Sequence, residues 1–469
     1  MPQFAHISLA MILLTLSTTA LRADAASWQA GAAAIKITPT EPLWMAGYAS
    51  RDQPAQGTLT ELWAKSLAIQ DPTGHRVVLI TLDLVGIDRQ LSQTICARLA
   101  NDHGLARDQI TLCVSHTHTG PVVGKNLRPM HFEVLSEDQQ KKILAYTDFL
   151  VEQIVAVVAD SVRGMVPATL EIAHGRATFA VNRRNNPEAE VPQRRDAGRL
   201  VGPVDYDVPV LAVRREDRSL IAIVFGYACH ATVLSSMEWS GDYPGFAQIS
   251  LEESFPGTIA LFWAGCGADQ NPLPRRQVEL AKKYGIQLAD AVREALRGVA
   301  EPLTTPLHTT YREISLPLDT LPTTQEIQRD MESSDRFIAA RARALLRQIE
   351  QGQPLATDYP YPISSWQFGD QLIWYHLGGE VVVDYSLKIK SLPHTVSDVW
   401  VAGYSNDVMA YIPSRRVWHE GGYEGATAMI YYGLPTRWAE SVEEVLLGAI
   451  HQMNSAPKTG SDIRESRPE

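Results

Sequence analysis

Cysteine is scarce: only Cys96, Cys113, Cys229 and Cys266 occur in 469 residues. Four are too few to frame a disulfide scaffold, and no C-x-x-C pair exists, which excludes a structural zinc knot. One or two bridges stay open, with no pairing legible. Dense Lys/Arg runs are missing too. The chain carries 42 basic against 53 acidic residues, a net charge of −11. It therefore has no positive stripe to displace the counterions of a nucleic acid. Internal repeats and Gly/Ser-rich linkers are absent. Beyond the N-terminus no apolar run reaches the ~20 residues that cross a bilayer. What is there is ordinary: 45% hydrophobic and 20% charged residues. That balance excludes a disordered or fibrous chain and allows two to four domains or one two-lobed enzyme fold.

Leu9 to Leu21 is an apolar run of thirteen residues, followed by Ala23-Asp24-Ala25. The length and the A-x-A site predict a cleaved signal peptide over 1–25 and an exported, soluble mature chain. Periplasmic and secreted destinations are both open.

Short β-branched runs alternate with amphipathic stretches. Strands are expected at Arg76–Val85, Gln109–Val114, Val208–Val213, Ser219–Tyr227, Gly257–Trp263, Ser365–Leu377, Val381–Asp384 and Asp398–Tyr404. The pair before and after Glu216-Asp217 reads as a hairpin. Helices are expected over 138–163, where Ile143, Tyr146, Leu150, Ile154 and Val158 recur at three- and four-residue steps, and over 274–298 and 324–350. The expected architecture is α/β: mixed β-sheets flanked by helices, as one two-lobed domain over 26–453. Residues 320–362 read as a peripheral helical insertion and 454–469 as a disordered tail.

Several segments carry residues suited to chemistry. Ser115-His116-Thr117-His118-Thr119-Gly120-Pro121 follows a strand, and two imidazoles on one strand face suit a metal. A capping and a packing histidine would give the same spacing. His230 ends FGYACHATVL, and Glu380 lies in LGGEVVVDYS, where burial calls for a cationic partner, metal or basic side chain. The Gly-rich turn Ala264 to Pro272 brings backbone N–H groups close to a ligand. It is neither a G-x-G-x-x-G loop nor a G-x-S-x-G elbow, and holds no serine. Tyr411 and Tyr423 stand twelve residues apart near the C-terminal end.

In order, these segments resemble the catalytic domain of the neutral (non-lysosomal) ceramidases, secreted or surface zinc amidases that cleave the fatty-acyl amide of ceramide. The resemblance runs from GAAAIKITPTEPLWMAGYA at Gly31 through THTGP, Val181-Asn182-Arg183, CHATVL, SGDYPGFA, the turn 264–272, GGE at 378–380 and the segment 405–426, about residues 31–450. It implies one Zn2+ held by His116, His230, Glu380 and Tyr411. His118 falls on a neighbour of the metal that contacts substrate, and Arg183 and Tyr423 on residues lining the amide site.

Two departures accompany it. The family's turn holds a serine in a G-D-x-S-P-N pattern, whereas here GCGADQNP puts Ala268 or Asp269 in its place. The family's C-terminal immunoglobulin-like domain has no counterpart before the sequence ends. The implied reaction is hydrolysis of an N-acyl lipid amide by metal-activated water. Asp269, or in competition His118, is expected to handle the proton, Tyr423 to stabilise the oxyanion, and Arg183 to orient a substrate oxygen. A zinc hydrolase of another amide or ester, and an exported binding protein of the same fold, remain as alternatives. The partners expected are a small-molecule or lipid substrate and a transient membrane surface, with no nucleic acid and the oligomeric state open.

Overall fold

The computed structural model describes residues 28–455. The expected signal peptide lies outside the described residues, as does the expected tail beyond Ser455. Asn454 and Ser455 instead close the last helix. No described helix is long and apolar enough to cross a membrane.

The larger sheet has nine strands. Eight of them are β1 (Trp28–Lys36), β2 (Trp63–Gln70), β3 (Arg76–Leu82), β4 (Ile110–Val114), β5 (Val166–Arg176), β6 (Asp207–Arg215), β7 (Leu220–Tyr227) and β8 (Ile259–Ala264). Their spatial order is β8-β7-β6-β5-β1-β2-β3-β4, with Glu301–Pro302 beside β5. Helices α1 (Glu137–Arg163) and α2 (Val278–Arg297) cover one face. The second sheet is β9 (Leu307–Pro317), β10 (Asp358–Phe368), β11 (Leu372–Leu377) and β12 (Asp398–Ala402), in that order. Two helices lie between β9 and β10: α3 (Thr324–Met331) and α4 (Arg336–Glu350). After β11 come α5 (Val383–Ser391), packed on β12, and α6 (Val442–Ser455), packed on β9.

The period-2 alternation of the strands builds four layers. In β3, Val78, Ile80 and Leu82 point to the helices, while Val77 and Leu79 point to the second sheet. In β11, Leu372 and Trp374 face the first sheet, and Ile373, Tyr375 and Leu377 face the outer helices. The shared layer between the sheets is tryptophan-rich. Trp374 meets Trp263 at 5.2 Å, Trp400 at 5.5 Å and Trp366 at 6.0 Å between ring centroids.

The mixed-sheet α/β architecture matches expectation, and the hairpin around Glu216-Asp217 is antiparallel β6–β7. Three local readings are corrected. The helix over 324–350 is two helices, because Asp335 caps a new start by accepting from Phe337 N–H at 2.8 Å. Ser365–Leu377 is the end of β10, a turn at Gly369, and β11. Val381–Asp384 is a two-residue strand, Glu380–Val381, running at once into α5. Val382 and Val383 lie outside that ladder and are buried by packing, so the β-branched signal misleads.

β4 and β7 stand six steps apart in the sheet and run antiparallel by topology. A twist of roughly 20–25° per step rotates them by roughly 120–150°, so their C-terminal ends come to one side. The segment 402–405 ties the end of β4 to that of β8, the parallel neighbour of β7, through bridges from Cys113 to Ser405 and from Gly265 to Ala402. The histidines lie there.

Candidate metal centre

His116 lies two residues beyond β4 with left-handed backbone, φ 59°. The H-x-H pair was expected to share a strand face. It sits instead in the turn after the strand, and the left-handed kink turns both rings inward. His116 Nε2 and His118 Nε2 are 3.1 Å apart. His116 Nδ1 lies 2.5 Å from the Val85 carbonyl oxygen. A carbonyl only accepts, so Nδ1 carries the proton and Nε2 presents a lone pair. The MAGY turn backs His118: a Cβ on Gly47 (φ 95°) would stand 2.5 Å from His118 Cγ, and the Tyr48 ring is 4.8 Å away.

His230 follows β7 by three residues. The Gly-rich turn fixes it twice, with His230 N–H donating to Gln270 O at 2.9 Å and Nδ1–H to Gly267 O at 2.8 Å. Gly267 has no room for a side chain, since a Cβ would lie 2.5 Å from Cys229 N. The turn therefore orients a histidine.

Glu380 and Tyr411 are paired across the parallel ladder of Glu380–Val381 and Tyr411–Ile412. Glu380 Oε2 lies 3.1 Å from His116 Nε2 and 3.0 Å from His230 Nε2. The Tyr411 hydroxyl is 3.3 Å from His230 Nε2. The four side chains proposed as ligands thus meet in one place, with His118 among them. His116, His118 and His230 can offer their ring nitrogens within 4.8 Å of one another.

These residues fit a divalent cation. Glu380 Oε2 is buried and has no hydrogen-bond donor among the described residues, although two imidazole lone pairs face it. Burial, with Arg183 nearby, pushes His230 down to about 4. Burial, with His116 and His230 beside it, holds His118 well below its ordinary value. An anionic oxygen, neutral imidazoles and a phenol form a donor set suited to zinc.

Arg183 stands at the edge of the cluster. Its Nη2–H2 reaches the Tyr411 hydroxyl at 3.3 Å, Nη1 reaches Asn271 Oδ1 at 3.3 Å, and Nε donates to Glu424 at 2.7 Å. Burial opposes its charge, but Tyr411 and Glu424 hold its pKa well above the ordinary value. Tyr423 is 43% exposed and meets Tyr411 edge-on at 5.2 Å. Asp269 was expected to face the metal, and its hydrogen bonds lead elsewhere. Oδ1 accepts from Val383 N–H at 2.9 Å and Oδ2 from Asn182 Nδ2 at 3.0 Å, with Arg416 at 3.6 Å. Burial pushes its carboxyl up to about 6. It braces the turn against α5. Ala268 N–H likewise donates to Val381 O, at 3.1 Å.

Sequence reasoning missed four supporting residues. Tyr432 donates its hydroxyl to Glu380 Oε1. Tyr404 lays its ring 4.4 Å from His116, with φ 51°. Glu424 holds Arg183 and Arg184 together. Arg51 Nη2 donates to the His118 carbonyl at 2.7 Å. Only Glu424 had a signal, as the charged neighbour of Tyr423.

A family model described as neutral/alkaline non-lysosomal ceramidase, N-terminal, matches residues 28–292. Curated relatives include neutral ceramidase 2 of Arabidopsis thaliana, 28% identical over 54% of this chain and 33% of its own length. Neutral ceramidase of Drosophila pseudoobscura pseudoobscura is 25% identical over 52% of this chain and 35% of its own length. The matched stretch thus spans about a third of these relatives. Among solved structures, neutral ceramidase from Pseudomonas aeruginosa superposes with a TM-score of 0.71 at 18% identity, covering 94% of this chain and 77% of that one. This last likeness is one of fold.

Proposed function

The chain belongs to the neutral/alkaline non-lysosomal ceramidase family, and from that premise we propose that it is a zinc-dependent amidohydrolase acting on an N-acyl compound of the ceramide type. The observation that carries this reading is the buried, donor-less Glu380 oxygen facing the Nε2 atoms of His116 and His230. His116, His230, Glu380 and Tyr411 would hold the ion, with His118 beside them. A zinc ion there supplies Lewis acidity toward a carbonyl and makes hydroxide available near neutral pH.

The chain's own residues do the rest. His118, kept neutral by burial and its neighbours, accepts the proton of the attacking water at Nε2 and returns it to the leaving nitrogen. It takes precedence over Asp269, whose oxygens are occupied by Val383 and Asn182. The Tyr423 hydroxyl donates to the oxyanion of the tetrahedral intermediate. Arg183, which stays charged at any working pH, orients a substrate oxygen. None of these roles requires a serine in the turn 264–272. The expected export and any membrane-surface contact belong to the same proposal.

The direct test is bound-metal analysis of the purified protein, with fluorogenic ceramide turnover measured with and without chelator. Stoichiometric zinc and chelator-sensitive release are expected. A well-folded protein that binds no metal and releases no acyl chain sinks the proposal. A second reading keeps the metal and changes the substrate, and the serine-free turn favours it. Zinc with no ceramide turnover would select it.

A further inference from the structure

Beside the cluster lies a cavity of about 500 Å³, within the range of small-molecule sites. Arg183 and Tyr423 line it, and both touch Tyr411 of the cluster, so the cavity is separated from the proposed reaction centre by these side chains. Its wall also carries Arg184 and Arg275, giving three guanidinium groups against two carboxylates, Glu188 and Glu424. Both carboxylates are already engaged. Glu424 accepts from Arg183 Nε at 2.7 Å and Arg184 Nη1 at 2.5 Å. Glu188 accepts from Arg275 Nε and Nη2, at 3.1 and 2.8 Å.

The capacity left in the wall is for donation. Arg275 and Asn271 line the cavity, and their Nη1 and Nδ2 donors have no hydrogen-bond acceptor among the described residues. Among the described residues Arg183 Nη1 and Nη2 hydrogen-bond only to neutral oxygens, each at 3.3 Å, the weak end of the hydrogen-bonding range. Such a wall discriminates. Hydrogen bonds to an ionised acceptor are about twice as strong as neutral ones, and the guanidinium fork matches a planar carboxylate. A substrate hydroxyl gains far less.

Distance narrows the class. Arg183 Nη2 is 3.3 Å from the Tyr411 hydroxyl, itself 3.3 Å from His230 Nε2. The guanidinium thus touches one proposed ligand and is two contacts from His230, so the recognised group lies close to the scissile bond. In an N-acyl amino acid the carboxyl carbon is about 2.5 Å from the scissile nitrogen. Resting on the metal-hydrolase reading above in its second form, where the substrate is not ceramide, we infer that the substrate is an N-acyl amino acid whose α-carboxylate is held by Arg183, Arg275 and Asn271. Water is the co-reactant: the C–N bond breaks, hydroxyl goes to the acyl carbon and a proton to nitrogen. A carboxylic acid and a free amino acid leave.

The experiment compares three substrates with one acyl chain on the zinc-loaded full chain: N-lauroylglycine, N-lauroylglycinamide and N-lauroylsphingosine, with release of free amine measured. One charge-assisted hydrogen bond predicts kcat/KM for the acid about tenfold or more above either neutral amide. Arg275→Gln is expected to shrink the acid-to-glycinamide ratio by about tenfold through KM, with Arg275→Lys restoring part of it. Calorimetric binding to the wild type gives a readout independent of that variant's folding, with N-lauroylglycine expected to bind more tightly than the glycinamide. Chelator-sensitive hydrolysis of the neutral amides as fast as the acid overturns the carboxylate assignment and leaves the hydrolase reading standing. No chelator-sensitive release from any of the three removes both.

Discussion

His116 and His230 stand just past strands of the long sheet and anchor their Nδ1 atoms on backbone carbonyls, whereas Glu380 and Tyr411 face each other across a two-residue ladder and lean on other side chains. The first arrangement fixes tautomer and ring direction through the main chain, so few substitutions elsewhere can disturb it. The second depends on Tyr432, Arg183 and Glu424, each replaceable. The family match at 28–292 covers the histidines and stops short of Glu380, Tyr411 and Tyr423. A site split in this way needs the two sheets docked, and the tryptophan layer docks them.

The contrast can be broken most severely at its centre. Glu380→Ala is expected to abolish stoichiometric metal binding and bring turnover to background. His116→Ala should do the same, and metal analysis of folded protein reads both. If Glu380→Ala retains full metal, the side-chain half is not a ligand shell at all. Tyr423→Phe comes next. Loss of one oxyanion donor costs about 2.7–4 kcal/mol, or two to three decades in kcat, with metal content unchanged. Full activity in this variant would remove the role. Tyr432→Phe tests indirect support, because it strips the donor from Glu380 Oε1. Loss of such a partner should weaken metal affinity by about 10–100-fold, read by competition with a chromogenic chelator. An unchanged affinity would mean the ladder alone holds Glu380.

The smallest effect concerns docking away from the site. His174 on β5 bridges Asp207 of β6 at 2.7 Å and Asp398 of β12 at 2.6 Å, linking the two sheets. Burial lowers its pKa, but the two carboxylates outweigh that and lift it to about 10. A raised folded pKa gives stability that is complete below the unfolded value of about 6.5 and lost as pH rises through about 10. His174→Gln should therefore lower Tm most near pH 6, and the gap should close toward pH 10. With the ring 41% exposed, the shift will be small. A gap that widens with pH would contradict the bridge.

Much of this was legible in the sequence, for reasons that differ by element. The α1 periodicity at Ile143, Tyr146 and Leu150 follows from one-sided burial and the unbroken apolar run of β3 from burial on both faces, and helix and strand both formed, the strand ending at Leu82. The break at Asp335 was hidden because a single cap outweighed a continuous apolar stripe. Val381–Val383 looked like strand because branching was visible and the helix packing behind it was not. Within the site, His116, His230, Glu380 and Tyr411 were picked out by the family resemblance, and the structure brings them together. Tyr432 and Tyr404 gave no warning, since what matters in them is a contact across 52 residues in one case and a ring against His116 in the other. Asp269 misled in the opposite direction: a carboxylate in a Gly-rich turn promised chemistry and serves as a brace.

His116, Tyr404 and Asn406 share left-handed backbone, with φ of 59°, 51° and 66°. Conformations of this sort in residues with a Cβ cost of order 1–3 kcal/mol each. Laboratory evolution toward heat tolerance alone would relax these positions first, with glycine or asparagine entering at 116 and the imidazole leaving. Selection rounds that alternate heating with a turnover screen would keep it.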